Sequence, residues 1–140
     1  MEAELRNIDS PSLRKPKVLK VIENLETVVD HAKDLRDSEK VNDPELREAL
    51  QIVERFIRRK HRLCYGGMAI NALLKPEMKF YDFSKVLPDY DFFTPDPESD
   101  VKQLVAIFKR ENFDSVEARI GMHKGTHKIF VNFHAVADIT

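Results

Sequence analysis

The sequence is poor in several features that mark common classes of protein. Its single cysteine, Cys64, excludes an internal disulfide and fits a reducing compartment. No apolar run approaches the roughly 18 residues that span a bilayer, and residues 1–20 lack the apolar core of a signal peptide. The 23 basic and 24 acidic side chains nearly cancel, which argues against a general nucleic-acid-coating protein. We therefore expect a soluble, intracellular domain that meets any polyanion at a local site.

Glycine is also scarce, and its distribution divides the sequence. All four glycines lie beyond residue 60, and the earlier part reads as helix. We expect an N-terminal helical segment over residues 1–44 and a second domain over residues 45–140. Asp43 is placed to cap the first helix of the second domain, with Pro44 at its first position. The apolar positions of the N-terminal segment recur at helical spacing at Val21, Ile22, Leu25, Val28, Val29, Ala32 and Leu35.

The remainder alternates short strands and helices. "RLCY" reads as a strand, "GMAINALLK" as a helix, "PDYDFFT" as a strand, and "PDPESDVKQLVAIFKREN" as a helix capped by Asp96 or Ser99. "SVEARIGM" and "KIFVNFHAVADIT" read as two strands of a hairpin that turns at "HKGTH". The fold class is therefore α+β, or mixed α/β, with a small mixed sheet, helices on one side and an N-terminal helical layer.

Three aspartates are candidates for a metal site. Asp89 and Asp91 are two residues apart, so on a strand their carboxylates point to the same face. Asp138 lies on the polar face of the last predicted strand, and it joins them if the two strands pair. Three carboxylates can hold two Mg²⁺ ions about 3.5–4 Å apart. The alternatives are a charged surface edge for the pair and a strand-end acid for Asp138.

The glycine pair Gly66–Gly67 stands between a strand and a helix. Such a turn presents backbone N–H groups at the positive end of the helix dipole, where a phosphate can bind. The alternative is an ordinary turn that needs a positive φ.

Taken together, these motifs resemble the nucleotidyltransferase fold of the polymerase-β superfamily. "YGGMAINALL", "LPDYDFFTPDP" and the strand ending "VADIT" look like the catalytic poly(A) polymerase subunit of large cytoplasmic DNA viruses, over residues 45–140. The resemblance implies transfer of AMP from ATP to RNA 3′ ends, with Mg²⁺ or Mn²⁺ in a two-metal site. It also implies a viral partner subunit or self-association, no membrane, and a location in the infected cytoplasm or the virion.

The resemblance assigns roles to the matching residues. Gly66 and Gly67 match the motif that contacts the triphosphate, Asp89 and Asp91 the metal-binding pair, and Asp138 the third carboxylate, which acts on the primer 3′-hydroxyl. A serine that usually stands beside the glycine is absent. Asn71, one turn into the helix, is the candidate for side-chain help, with a helix-surface amide as its alternative.

Two further groups are candidate ligand contacts. Arg58, Arg59, Lys60 and Arg62 could bind RNA or triphosphate, or form a solvated helix end. Tyr81 and Phe83 could stack a base or fold back on the core.

Members of this family continue well past the third carboxylate, whereas this sequence ends two residues after Asp138. We expect a catalytic domain truncated at its C-terminus. Two other functions stay open: a small nucleotidyltransferase acting on a protein or small molecule, and a truncated, non-catalytic interaction module. Divalent-dependent nucleotide binding separates the enzymes from the module, and dependence on an RNA primer separates the two enzymes.

Overall fold

The computed structural model describes the backbone of residues 15–140 and the side chains of residues 20–140. The first 14 residues of the predicted N-terminal segment lie outside the described part. The helices and strands are α1 (Lys15–Val41), α2 (Pro44–Lys60), β1 (Leu63–Tyr65), α3 (Gly66–Leu73), a 3₁₀ turn (Pro76–Met78), β2 (Tyr90–Phe93), α4 (Pro97–Arg110), β3 (Val116–Ile120), β4 (His127–Val131) and β5 (His134–Ile139).

The chain divides into two compact units, Met1–Leu35 and Arg36–Thr140. In the first unit, the predicted helix is present as the larger part of α1, which ends at Val41. Six of its apolar side chains are exposed, namely Val21, Ile22, Leu25, Val28, Val29 and Leu35. Within residues 15–140, no helix is both long and apolar enough to cross a membrane.

The second unit opens with α2, which begins and packs as the sequence predicts. The Asp43 side chain accepts hydrogen bonds from the N–H groups of Glu45 (2.9 Å) and Leu46 (3.2 Å), and Pro44 occupies the first turn. These contacts satisfy N–H groups that have no partner inside the helix. One side of α2 is buried through Leu46, Ala49, Leu50, Ile52, Val53, Phe56 and Ile57.

A five-stranded mixed sheet forms the centre of this unit, in the order β1-β2-β5-β4-β3. β2 and β5 are parallel, and the other neighbours are antiparallel. The face bearing Phe92, Ile129 and Ile139 packs with α2 and α4 into one apolar core. Since side chains alternate along a strand, Asp91 and Asp138 project from the opposite face.

The last predicted strand is in fact two strands, which corrects the sequence-based hairpin. β4 ends at Val131 and β5 begins at His134, joined by a turn in which Asn132 and Phe133 both have positive φ (47° and 68°). Positive φ at both positions is the geometry of a tight hairpin turn. This turn cannot be recognised from the sequence, because the turn contains no glycine and because phenylalanine rarely adopts a positive φ.

The turn and a bulge also change which side chains reach the core. In one continuous strand, Phe133 would share the apolar face with Ile129 and Val131, but it is 83% exposed at the tip of the turn. The pairing shifts between Ile129–Ala137 and Phe130–Ala135, which leaves Val136 as an extra, buried residue. Because the bulge precedes Ala137, the alternation resumes after it, and Asp138 still points away from the core.

An ion pair joins the start of β1 to α4. Arg62 donates from Nε and Nη2 to the two carboxylate oxygens of Asp100, at 2.7 and 2.9 Å. The Asp100 side chain is 1% exposed. Burial raises the pKa of Asp100, but the hydrogen bonds and charge of Arg62 outweigh it and keep that pKa below its usual range.

Candidate functional site

The sheet register brings the three predicted carboxylates together. β2 and β5 lie side by side, with Asp91 directly opposite Asp138. Neighbouring strands are about 4.8 Å apart, so these two residues are as close as strand pairing allows. Asp89 precedes β2 by one residue, and it shares a cation contact with Asp138. The convergence expected from the sequence is therefore present.

That shared cation is Lys128, which the sequence analysis did not single out. Lys128 pairs with Asp138 across β4 and β5. Its Nζ lies 3.1 Å from Asp138 Oδ1 and 3.7 Å from Asp89 Oδ2. Burial lowers the pKa of Lys128, but the neighbouring carboxylates raise it more, so the ammonium group stays charged. In the sequence, Lys128 stands out only because it alternates with apolar residues. That pattern gives the face of the strand on which Lys128 lies, but it does not show which residue of another strand lies beside it.

Asp91 has the most perturbed carboxyl group of the site. Partial burial raises its pKa, the charges of Asp89 and Asp138 raise it further, and Lys128 lowers it, which leaves a pKa of about 6. Like charges held this close favour a neutral form or a bound cation. The three carboxylates therefore repel one another, and a bound divalent cation would reduce this repulsion.

Gly66 brings the glycine turn into contact with this carboxylate cluster. Its φ is +70°, and a Cβ built on it would overlap Asp91 Oδ2. The preceding residue, Tyr65, pairs with Asp91 across β1 and β2. The glycine adopts a positive φ, as the alternative explanation requires, and it also allows the close approach of Asp91; phosphate binding by this turn stays a prediction. The first N–H groups of α3 thus lie beside the carboxylates.

Gly67 is required by a different neighbour. A Cβ on Gly67 would overlap the hydroxyl oxygen of Tyr81. Tyr81 is half-buried and contacts Phe80 and Phe83, with ring centroids 4.7 and 6.3 Å away. A tyrosine hydroxyl therefore occupies the space that a side chain at position 67 would fill.

Asn71 is buried and structural, which corrects its predicted role as a phosphate contact. It is 3% exposed, and its Oδ1 accepts hydrogen bonds from the N–H groups of Phe80 (2.9 Å) and Tyr81 (3.0 Å). The alternative of a surface amide is also wrong. The amide holds the segment after α3 against the helix, and so it positions Tyr81 over Gly67.

The basic run divides into two kinds of residue. Arg62 is held by Asp100, so the structure does not support its predicted phosphate contact. Arg58 pairs with Glu54 at 2.7 Å on the surface. The charged groups of Arg59 and Lys60 lie 5.8 and 5.9 Å from the centre of the Phe56 ring. Arg58, Arg59 and Lys60 thus lie on the outer side of the last turn of α2, a position that fits either of their two predicted roles.

The carboxylates suit a hard divalent cation. All three supply oxygen donors, and the buried Asp138 Oδ1 has the Lys128 ammonium group 3.1 Å away but no well-aligned hydrogen bond among the described residues. Within residues 15–140, no three His, Cys, Asp or Glu side chains are arranged to hold an ion by themselves. Mg²⁺ is usually held by one or two carboxylates together with substrate phosphates, so a complete protein cage is not required. The residues present fit a cation that arrives with a phosphate ligand.

A separate cleft of about 620 Å³ lies between α2, α3 and the segment before β2. Its walls are mainly apolar, and they include Ile57, Met68, Phe83, Leu87 and Tyr90. Tyr90 is on the strand face opposite Asp91, so the cleft is not part of the carboxylate site. No motif in the sequence indicates this cleft, since its walls come from several separate segments.

Comparison with known proteins assigns the fold and the family. Residues 51–140 match the family model for the poly(A) polymerase catalytic subunit. The chain is 35% identical over 99 residues to a protein named as a candidate poly(A) polymerase catalytic subunit in Acanthamoeba polyphaga mimivirus, and this match covers 69% of the chain and 17% of that protein. A protein of the same name from African swine fever virus is 30% identical, with 71% and 21% covered.

The crystal structure of the Megavirus polyadenylate synthase superposes on the whole chain with a TM-score of 0.69 and 29% identity. The match covers 28% of that structure. The α+β nucleotidyltransferase fold expected from the sequence is therefore confirmed. The chain spans about a fifth of the length of the curated relatives that it matches.

Proposed function

The chain belongs to the family of poly(A) polymerase catalytic subunits, and from that premise we propose that it transfers AMP from ATP to the 3′ end of RNA. We further propose that residues 45–140 form the catalytic domain of this metal-dependent nucleotidyltransferase. The observation that carries the proposal is the contact of Gly66 with Asp91. It joins a phosphate-binding turn to a cluster of three carboxylates, and the transfer of a nucleotide requires both.

The chain's own residues have separate tasks in this reaction. The N–H groups at the start of α3, around Gly66 and Gly67, bind the triphosphate at the positive end of the helix dipole. Asp89, Asp91 and Asp138 hold Mg²⁺ or Mn²⁺. When bound, the two ions neutralise phosphate charge and favour ionisation of the attacking hydroxyl.

The RNA end meets the site at Asp138. In the proposed step, the 3′-hydroxyl oxygen bonds to the α-phosphorus and its proton passes to water, while the bond from that phosphorus to the β-phosphate oxygen breaks and pyrophosphate leaves. Asp138 orients the hydroxyl. Its location at the end of β5 beside Asp91 supports this role, because both carboxylates then face the same α-phosphate.

RNA and partner contacts are also proposals. Arg58, Arg59 and Lys60 supply positive charge three to five residues before β1, on the approach to the glycine turn. The relatives' description as catalytic subunits supports a further partner subunit, and their viral origin supports a site of action in the infected cytoplasm or the virion.

The decisive experiment is a thermal-shift measurement with Mn²⁺ and ATP, alone and together. At a ligand concentration 100-fold above Kd, binding adds about 2.7 kcal/mol to the free energy of unfolding, which raises Tm by several degrees. We expect this rise only with both ligands, and we expect its loss in Asp91→Asn. The exposed Asp114 lies away from the cluster, so Asp114→Asn is the matched control.

A folded wild-type protein whose Tm does not respond to the two ligands would contradict a nucleotide site in this chain. A positive result leads to primer extension with labelled ATP and a short RNA. Extension of RNA supports the polymerase activity, whereas binding without RNA extension supports a transferase with another acceptor.

A further inference from the structure

The carboxylate cluster already contains one positive charge from the protein. Lys128 Nζ lies between Asp138 Oδ1 (3.1 Å) and Asp89 Oδ2 (3.7 Å). The Lys128 side chain is 34% exposed and that of Asp138 is 20% exposed, so water only partly screens the pair. A cation that binds both carboxylates must use the space that this ammonium group occupies.

The surrounding strands supply no substitute for Lys128. Across β3 and β4 its neighbour is Arg119, which is engaged elsewhere. Arg119 Nη2 lies 2.7 Å from Glu117 Oε2, and its guanidinium group lies 4.9 Å from the centre of the Phe130 ring. Among the described residues, Lys128 is the only basic side chain that forms an ion pair with any of the three aspartates, and it pairs with two of them, Asp89 and Asp138.

We propose that Lys128 is a built-in counterion of the carboxylate site, and that a divalent cation must displace its ammonium group to bind Asp89 and Asp138 together. This inference rests on the proposed function, because it assumes that these carboxylates bind metal. The positive charge of Lys128 offsets part of the mutual repulsion of the three aspartates. It also means that the protein binds a free divalent cation weakly. Binding breaks the ion pairs of Lys128 with Asp89 and Asp138, and it brings the cation close to the positively charged ammonium group.

The test is direct titration with Mn²⁺ in the absence of nucleotide, followed by the electron paramagnetic resonance signal of free Mn²⁺. Four forms of the full chain are compared at pH 8: wild type, Lys128→Met, Lys128→Arg and Lys102→Met. Methionine keeps the length of the side chain without its charge. Lys102 is exposed on α4, so Lys102→Met changes the net charge equally but away from the site.

We expect Lys128→Met to bind Mn²⁺ at least about tenfold more tightly than wild type, since a repelling charge beside the ion is removed. Lys128→Arg and Lys102→Met should bind as wild type does. Adding Asp138→Asn to Lys128→Met should abolish the gain. A gain in affinity cannot come from a damaged fold, so this readout separates a local charge effect from loss of structure.

Other outcomes overturn the inference, and they differ from failure of the proposed function. Equal and measurable Mn²⁺ affinity in all four forms would leave the carboxylate site intact and reject the counterion role. An equal gain in Lys102→Met would show a net-charge effect only, and would reject it as well. No Mn²⁺ binding by any form, with or without ATP, would reject both the counterion and the proposed metal site.

Discussion

At the scale of single residues, Asp91 is the carboxylate whose pKa is raised both by burial and by neighbouring negative charges. Its pKa is about 6, raised by burial and then by Asp89 and Asp138. The ionised form is therefore less stable in the folded protein than in the unfolded chain. A residue selected only for stability would be asparagine here, and this makes the carboxylate a sign of function rather than of folding.

This leads to a prediction about the pH dependence of stability. A folded-state pKa above the ordinary value contributes stability that is complete below about pH 4 and is lost as the pH rises through about 6. Without metal, Asp91→Asn should thus have nearly the wild-type Tm at pH 4 and a higher Tm than wild type at pH 8. Thermal melts of both proteins from pH 4 to pH 8, in the presence of a chelator, measure the difference.

Asp114→Asn is again the control, and its difference from wild type should not track this profile. If the difference between Asp91→Asn and wild type stayed constant across the pH range, the raised pKa would be disproved.

At the scale of secondary-structure elements, α3 is held in place by the segment on its C-terminal side. The side chain of Asn71, on the helix, accepts hydrogen bonds from the backbone N–H groups of Phe80 and Tyr81. The hydroxyl group of Tyr81 in turn lies against Gly67 at the start of the helix. The helix and this segment therefore fix each other. Because Gly66 contacts Asp91, this packing also fixes the glycine turn relative to the carboxylates.

A double-mutant cycle tests this packing. Gly67→Ala should destabilise the protein by about 1–3 kcal/mol, because the new Cβ overlaps the Tyr81 hydroxyl, and this exceeds the gain of up to about 1 kcal/mol from alanine's helix propensity. Tyr81→Phe removes the hydroxyl and should restore much of that loss. Urea unfolding of the wild type, both single variants and the double variant gives the coupling energy.

We expect the two substitutions to be coupled by at least about 0.5 kcal/mol in the favourable direction. Additive effects would mean that the hydroxyl does not lie over Gly67, and the close approach would then be wrong.

At the scale of the whole second unit, the Arg62–Asp100 pair ties β1 to α4. It is bidentate, and Asp100 is almost completely buried. Removing Arg62 leaves the Asp100 charge buried without compensation, because the Asp100 side chain is only 1% exposed whereas that of Arg62 is 18% exposed. Arg62→Met should therefore lower the free energy of unfolding by about 3–5 kcal/mol, which urea unfolding measures.

The matched control is Arg58→Met, which breaks an exposed ion pair with Glu54 in which the arginine side chain is 77% exposed. Such pairs contribute about 0–1 kcal/mol. Similar losses in the two variants would contradict a special role for the buried pair. Double replacement of Arg62 and Asp100 by apolar residues should be less harmful than Arg62→Met, because no buried charge is left unpaired.

Local rules were enough to predict most elements of the second unit from the sequence. The cap at Asp43, the buried side of α2 and the strand–glycine–helix order from "RLCY" onward follow from side-chain chemistry within a few residues. The same rules missed the turn at Asn132 and Phe133, because nothing local makes phenylalanine favourable at positive φ. There, pairing of β4 with β5 outweighs the local preference.

By itself, the sequence determined which residue types the site would use: the two-residue spacing of Asp89 and Asp91 predicted that they share one face, and the glycine pair marked the turn. Only the tertiary structure decided what those residues touch. It placed Asp138 opposite Asp91, Lys128 between two carboxylates, and Tyr81 over Gly67. It also buried Asn71 and paired Arg62 with the buried Asp100. The physical reason is that periodicity sets the direction of a side chain from its own strand or helix, whereas its neighbours across the sheet depend on strand order and register, which arise from the packing of the whole unit.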